Sequence, residues 1–119
     1  MPVAGRDNRQ YKRRSLYYYL KVLDQDTGRE IGRLVDIHVA GLLLISEKQL
    51  ESGQTFNIRI PPDESVRSLS CNLDLKAVVR WSNQDINPDY YVSGLQFLEI
   101  TPVQEDLIEE IVRVIGFKI

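Results

Sequence analysis

Two arginines stand four residues apart near the start of the chain, Arg9 and Arg13, in the pattern R-x-x-x-R. A guanidinium is a planar, permanently charged fork. Two of them can clamp phosphates bidentately, or bond the O6/N7 edge of guanine while stacking on its ring. Lysine does neither job as well. Further along, Asp36-x-His38-x-x-Gly41 supplies complementary groups. A carboxylate accepts hydrogen bonds from the N1 and N2 hydrogens of guanine or holds an arginine in place, and a polar side chain two residues on can reach a phosphate. Glycine admits close approach of backbone to a ligand, or a positive φ. Each half also has a plainer reading. Arg29 and Arg33 repeat the arginine spacing inside a strand, where residues four apart share a face and form a solvated stripe. Asp for the bend and Gly for the torsion are equally what a simple turn requires.

Other chemistries find little support. The chain has one histidine, His38, and one cysteine, Cys71, so it forms neither an internal disulfide nor a Cys/His zinc cage. No Ser or Cys in a strained elbow motif faces His38 as its base, and there is no glycine-rich phosphate loop or His/Glu metal spacing. Glu109 and Glu110 are adjacent on a helix and face different ways, as solvated charges do. The expectation is a protein without catalysis, metal or cofactor. Carboxylates converging from distant strands are the one arrangement that residue order leaves open.

The elements that must position these groups are mostly strands. Residues 15–24 (SLYYYLKVLD) read as a strand with Leu16, Tyr18, Leu20 and Val22 on one face. Residues 24–28 form a turn, and residues 29–37 return as the second arm of a hairpin. Residues 36–41 interrupt the pattern before a buried strand over 42–46. Residues 55–60 alternate and end at Pro61-Pro62. A long strand is predicted over 69–81, with Leu69, Cys71, Leu73 and Leu75 on one face and a bulge near Lys76-Ala77. A loop over 83–89 and a last strand over 90–100 follow. A helix then spans about 102–115: Thr101 caps it, Pro102 takes the first position and Gln104 closes a capping box. Leu107, Ile108, Ile111, Val112 and Ile115 make its apolar stripe, with Gly116 as the stop. About six short strands and one helix predict an all-β fold, a small antiparallel β-barrel with a C-terminal α-helix as lid.

With 119 residues, 43% hydrophobic and 27% charged, the chain is one domain able to bury its own core. Residues 1–14 carry Arg6, Arg9, Lys12, Arg13 and Arg14 against Asp7, a local charge of +4, leaving −6 on the rest of a chain whose net charge is −2. The division is a flexible basic arm (1–14) and a barrel with its helix (15–119). A basic arm on an acidic body argues against DNA or RNA binding, which uses a broad basic face, and favours a small anionic partner. A solvated tail is the plainer alternative. The polar N-terminus lacks the apolar run of a signal peptide, and the longest apolar stretch, residues 39–45, is too short to span a bilayer. The expected location is cytoplasmic, without membrane insertion.

In combination, the two halves resemble a known family. R-x-x-x-R before the first strand, followed downstream by D-x-S-x-x-G, is the signature of PilZ domains, which bind cyclic di-GMP. Gly41-Leu-Leu-Leu, Val78-Val79-Arg80-Trp81, Gly94-Leu95-Gln96-Phe97 and the closing helix are similar to family features in the family's order, over about residues 9–116. The resemblance implies a six-stranded, split-barrel-type β-barrel whose arm folds over the dinucleotide. Arg9 and Arg13 would take phosphates and guanine edges, and Asp36 and Gly41 would line the barrel rim. Arg14 and Trp81 are secondary members of the set, Trp81 near a stacked base. The chain departs from the pattern at His38, which stands where the family has serine. A histidine can donate to a phosphate; it can also crowd the pocket. The implied function is a cyclic di-GMP receptor acting on a protein effector in motility, attachment or exopolysaccharide control. The alternative is a PilZ-like adaptor that has lost its nucleotide, with the Tyr17-Tyr18-Tyr19 cluster and the helix stripe as contact surfaces.

Overall fold

The computed structural model describes residues 20–64 and 70–116. The elements run β1 (Lys21–Asp24), β2 (Glu30–His38), β3 (Gly41–Ser46), β4 (Thr55–Ile60), β5 (Leu73–Gln84), β6 (Tyr91–Glu99) and α1 (Pro102–Gly116). All neighbouring strands are antiparallel, and the sheet closes on itself in the order β1-β2-β3-β6-β5-β4, with β1 pairing β4 to complete the barrel. Closure leaves no unpaired edge, which suits a short chain rich in strands.

Period-two alternation explains the lining. Leu20 and Val22 of the first segment, Leu44 of β3, Ile58 and Ile60 of β4, and Leu73, Leu75 and Val79 of β5 all point inward and are almost wholly buried. The β1–β2 turn forms as the sequence predicts: Gly28, at φ 77°, donates its N–H to the Asp24 carbonyl at 2.7 Å, and Asp24 Oδ1 accepts from the Asp26 N–H at 2.8 Å.

The helix start is the predicted capping box. Thr101 Oγ1 accepts from the Gln104 N–H at 3.2 Å, and Gln104 Oε1 accepts from the Thr101 N–H at 2.7 Å. Gln104 also donates from Nε2 to the Asp74 carbonyl at 2.6 Å, tying the first turn to β5. Ile108 and Ile111 are fully buried in the core, each contributing about 1.5–3 kcal/mol relative to exposure.

Four expectations change. β5 starts at Leu73 rather than 69; Cys71 is exposed and precedes the strand, and Leu69 lies outside the described residues. β5 then continues to Gln84, because Asn83 and Gln84 pair with Val92 and Tyr91, and backbone pairing tolerates their polar side chains. Val112 is 37% exposed, whereas Leu107 and Val114 pack on the core, so the stripe is rotated around Ile108 and Ile111. Gly116 lies within α1 rather than beyond it. The predicted bulge is present, as a register shift between Lys76 and Ala77. Residues 1–19, with the basic arm, the early part of the predicted first strand and the tyrosine cluster, lie outside the described residues, as does the Ile115 side chain.

Candidate functional site

A bulge in β2 aims the Asp36 motif. Leu34 pairs Leu44 and Asp36 pairs Leu43, so Val35 is an extra residue and the strand changes phase there. Ile37 then turns inward, 3% exposed, while Asp36 and His38 both point outward. The turn to β3 is tight: His38 pairs Gly41, with Val39 and Ala40 between them. The Ala40 carbonyl accepts from the Phe97 N–H at 2.9 Å, which fastens this turn to β6.

Two polar groups on the motif have defined roles. Asp36 Oδ1 accepts from the Ile37 N–H at 2.9 Å, and its other oxygen makes no bond among the described residues. His38 Nδ1 accepts from the Ala40 N–H at 3.1 Å. In the neutral ring the proton therefore sits on Nε2, which becomes a hydrogen-bond donor.

Strand packing requires a glycine at 41, and the positive φ expected of it is not found. A β-carbon there would lie 2.2 Å from the Leu95 carbonyl oxygen, so the glycine allows β3 to approach β6; its φ is not left-handed. It is buried against β6.

Across the barrel wall, β5 carries a second bulge. Val79 pairs Leu95 and Trp81 pairs Gly94, leaving Arg80 as the extra residue. Arg80 and Trp81, though consecutive, are consequently both exposed while Val79 is wholly buried. The Val79 backbone is bonded both ways to the β3–β4 loop, with the Gly53 N–H at 2.7 Å and the Gln54 carbonyl at 2.8 Å, which fixes the strand just before the bulge. Arg80 Nε donates to Gln96 Oε1 at 2.7 Å.

These groups converge. Asp36, His38, Gly41, Arg80, Trp81 and Gln96, with Gly94 and Leu95 as the floor, line one groove of about 430 Å³ on the outer wall. The structure thus gathers Asp36, His38, Gly41 and Trp81. Arg9, Arg13 and Arg14 lie outside the described residues, but their segment joins the barrel nearby, because the Leu20 carbonyl accepts from the Leu34 N–H at 2.7 Å, two residues before Asp36.

Arg80 and Gln96 are the polar groove residues that the sequence reading did not name as site residues. The available signal was the run Ala77-Val78-Val79, three buried residues in succession, which strict alternation forbids. At the opposite end of the β2–β3 pair a larger cavity of about 660 Å³ includes Arg29 and Arg33, but also Asp24, Glu30 and Glu47. Arg33 Nε lies 2.7 Å from Glu30 Oε2. Charges of both signs there match the stripe expected for this arginine pair. Glu110 pairs with Arg113 on α1. Among the described residues, no three His, Cys, Asp or Glu side chains cluster to hold a metal ion, and no helix is long and apolar enough to cross a membrane.

A closed, helix-capped barrel with a groove lined by polar side chains and an aromatic one belongs to the class of small β-barrel binding domains. Residues 7–113 match the PilZ domain, and the chain belongs to that family. Solved structures share the fold. The PilZ domain of YcgR from Escherichia coli, solved with c-di-GMP, is 15% identical with a TM-score of 0.59, over 84% of this chain and 82% of that one. The Bacillus subtilis inhibitor of motility, MotI/DgrA, is 19% identical with a TM-score of 0.63, over 84% and 46%. MrkH of K. pneumonia in its apo state is 16% identical with a TM-score of 0.63, over 98% and 55%. This chain spans about half the length of the latter two. No curated protein matches it.

Proposed function

We propose that this PilZ protein is a cyclic di-GMP receptor, a ligand-binding adaptor rather than an enzyme. The observation that carries the reading is the convergence of Asp36, His38, Gly41 and Trp81 on one groove, beside the point where the arginine-bearing segment joins the barrel. Arg13 precedes Leu20 by seven residues and Arg9 by eleven, contour lengths of about 25 and 40 Å, so both can reach the groove. In this reading they clamp the two phosphates and guanine edges, with Arg14 beside them. Asp36 accepts from guanine N1 and N2, the His38 Nε2–H donates to a phosphate oxygen, and a base stacks on Trp81. The E. coli domain of the same fold was solved with this nucleotide.

The output follows from electrostatics. A dianion placed between a +4 arm and a barrel carrying the remaining −6 offsets half of the arm's charge and fixes it over the groove, creating a new surface for a protein effector. The reading places the protein in the cytoplasm, acting in motility, attachment or exopolysaccharide control, with no DNA, RNA or bilayer insertion in its mechanism. One observation favours a second reading, an adaptor without nucleotide: the His38 ring lines the groove where the family motif has a smaller serine.

Titration calorimetry of the 119-residue chain with cyclic di-GMP decides between them. Micromolar or tighter binding that is lost in Arg9→Ala and in Arg13→Ala supports the receptor. Absence of heat at high nucleotide concentration overturns it in favour of the adaptor, and binding unaffected by either substitution overturns the arginine clamp.

A further inference from the structure

We infer that Arg80 and Gln96 form a base-reading pair that makes the groove select guanine over adenine. The inference rests on the groove being a cyclic dinucleotide site, and adds to that reading which residues set the identity of the base. The pair spans two neighbouring strands, and its single bond has one possible polarity. A guanidinium only donates, so the Gln96 atom that meets Arg80 Nε at 2.7 Å is Oε1. Oε1 is the one acceptor atom of the pair, and this bond takes one of its two lone pairs and turns it towards Arg80. Open to a ligand are the Gln96 Nε2 amide and the terminal nitrogens of Arg80, which make no bond among the described residues.

The pair is therefore rich in donors, with its one acceptor atom turned towards Arg80. It lines the same groove as Trp81, and the bulge in β5 is what turns Arg80 and Trp81 outward together. A base stacked on the indole presents an edge to these donors. The Hoogsteen edge of guanine offers two acceptors, O6 and N7, and both can be satisfied. Adenine offers N7 beside the N6 amino group, a donor that faces the N–H groups of the pair where guanine presents an acceptor. The expected discrimination is roughly ten- to a hundredfold in affinity. Asp36 reads a different edge, the N1 and N2 hydrogens, of which hypoxanthine keeps only N1–H, so the difference between guanine and hypoxanthine ligands reports the Asp36 contact to N2.

Calorimetry of the full chain with cyclic di-GMP, cyclic di-AMP and cyclic di-IMP tests this, the last keeping O6 and N7 but lacking the N2 amine. The parent should prefer cyclic di-GMP and cyclic di-IMP over cyclic di-AMP by about tenfold or more. Arg80→Met should weaken the two O6-bearing ligands more than cyclic di-AMP, which loses only a bond to N7, and so lower the ratio; a merely structural role would weaken all three alike. Gln96→Glu keeps the bond to Arg80 and adds an acceptor, so it should gain cyclic di-AMP affinity. Equal binding of guanine and adenine ligands by the parent, or an Arg80→Met variant with the parental ratio, overturns the inference while the receptor reading stands. A parent that binds none of the three overturns both.

Discussion

The Trp81 indole lies over the backbone of Gly94 so closely that a β-carbon at position 94 would stand 2.4 Å from Nε1 and 2.6 Å from Cε2. One side of the ring is thus pressed on β6, and with 40% of the residue exposed the other side is open to the groove. Glycine at 94 converts a rim tryptophan into a shelf. Gly94→Ala should push the indole off the strand. The expected loss is about 1–3 kcal/mol of stability. Trp81 is the single tryptophan, so its emission reports the displacement directly. A red shift with about tenfold weaker cyclic di-GMP binding is expected; unchanged emission and affinity would show that the shelf is irrelevant.

Gly41→Ala meets a different obstacle. The clash at 2.2 Å is with a backbone carbonyl, which cannot swing aside as a side chain does. Its stability loss should exceed that of Gly94→Ala, and β3 must separate locally from β6. Urea denaturation of the two variants in parallel checks the order.

His38 holds the β2–β3 turn through Nδ1. Serine can accept the same Ala40 N–H from its shorter side chain, whereas alanine cannot. His38→Ser should keep the parental melting temperature and bind cyclic di-GMP within about threefold of the parent. His38→Ala should lose up to about 1 kcal/mol, since the site is exposed to competing water. Thermal melts and titrations of both variants test this, and a strong gain of affinity in His38→Ser would assign the ring a blocking role.

The capping box lies away from the groove and should act on stability alone. Thr101→Ala should cost about 1 kcal/mol. Gln104→Ala should cost more, because it removes the reciprocal bond and the tie to the Asp74 carbonyl. Nucleotide affinity should stay parental in both; a matching loss of affinity would show that α1 is coupled to the site.

The sequence by itself determined the order and type of the elements and marked four residues that line the groove. Alternation placed Leu20, Val22, Ile58 and Ile60 on inward faces, and Thr101, Pro102 and Gln104 announced the helix, because strand pleat and capping are decided by neighbours within a few residues. The motif pattern marked Asp36, His38, Gly41 and Trp81, although it could not say why Gly41 is glycine. That reason lies on β6, in the Leu95 carbonyl, more than fifty positions away.

Only the tertiary structure decided what the groove contains. Two bulges, one before Asp36 and one at Arg80, depend on how β2 and β5 pair with strands far off in the chain, and each moves a whole run of side chains to the other face. Arg80 and Gln96 become partners because β5 and β6 lie side by side, and Trp81 becomes a shelf because its neighbour in space is a glycine thirteen residues later. Residue order encodes local geometry directly; register across a closed barrel is a property of all six strands together.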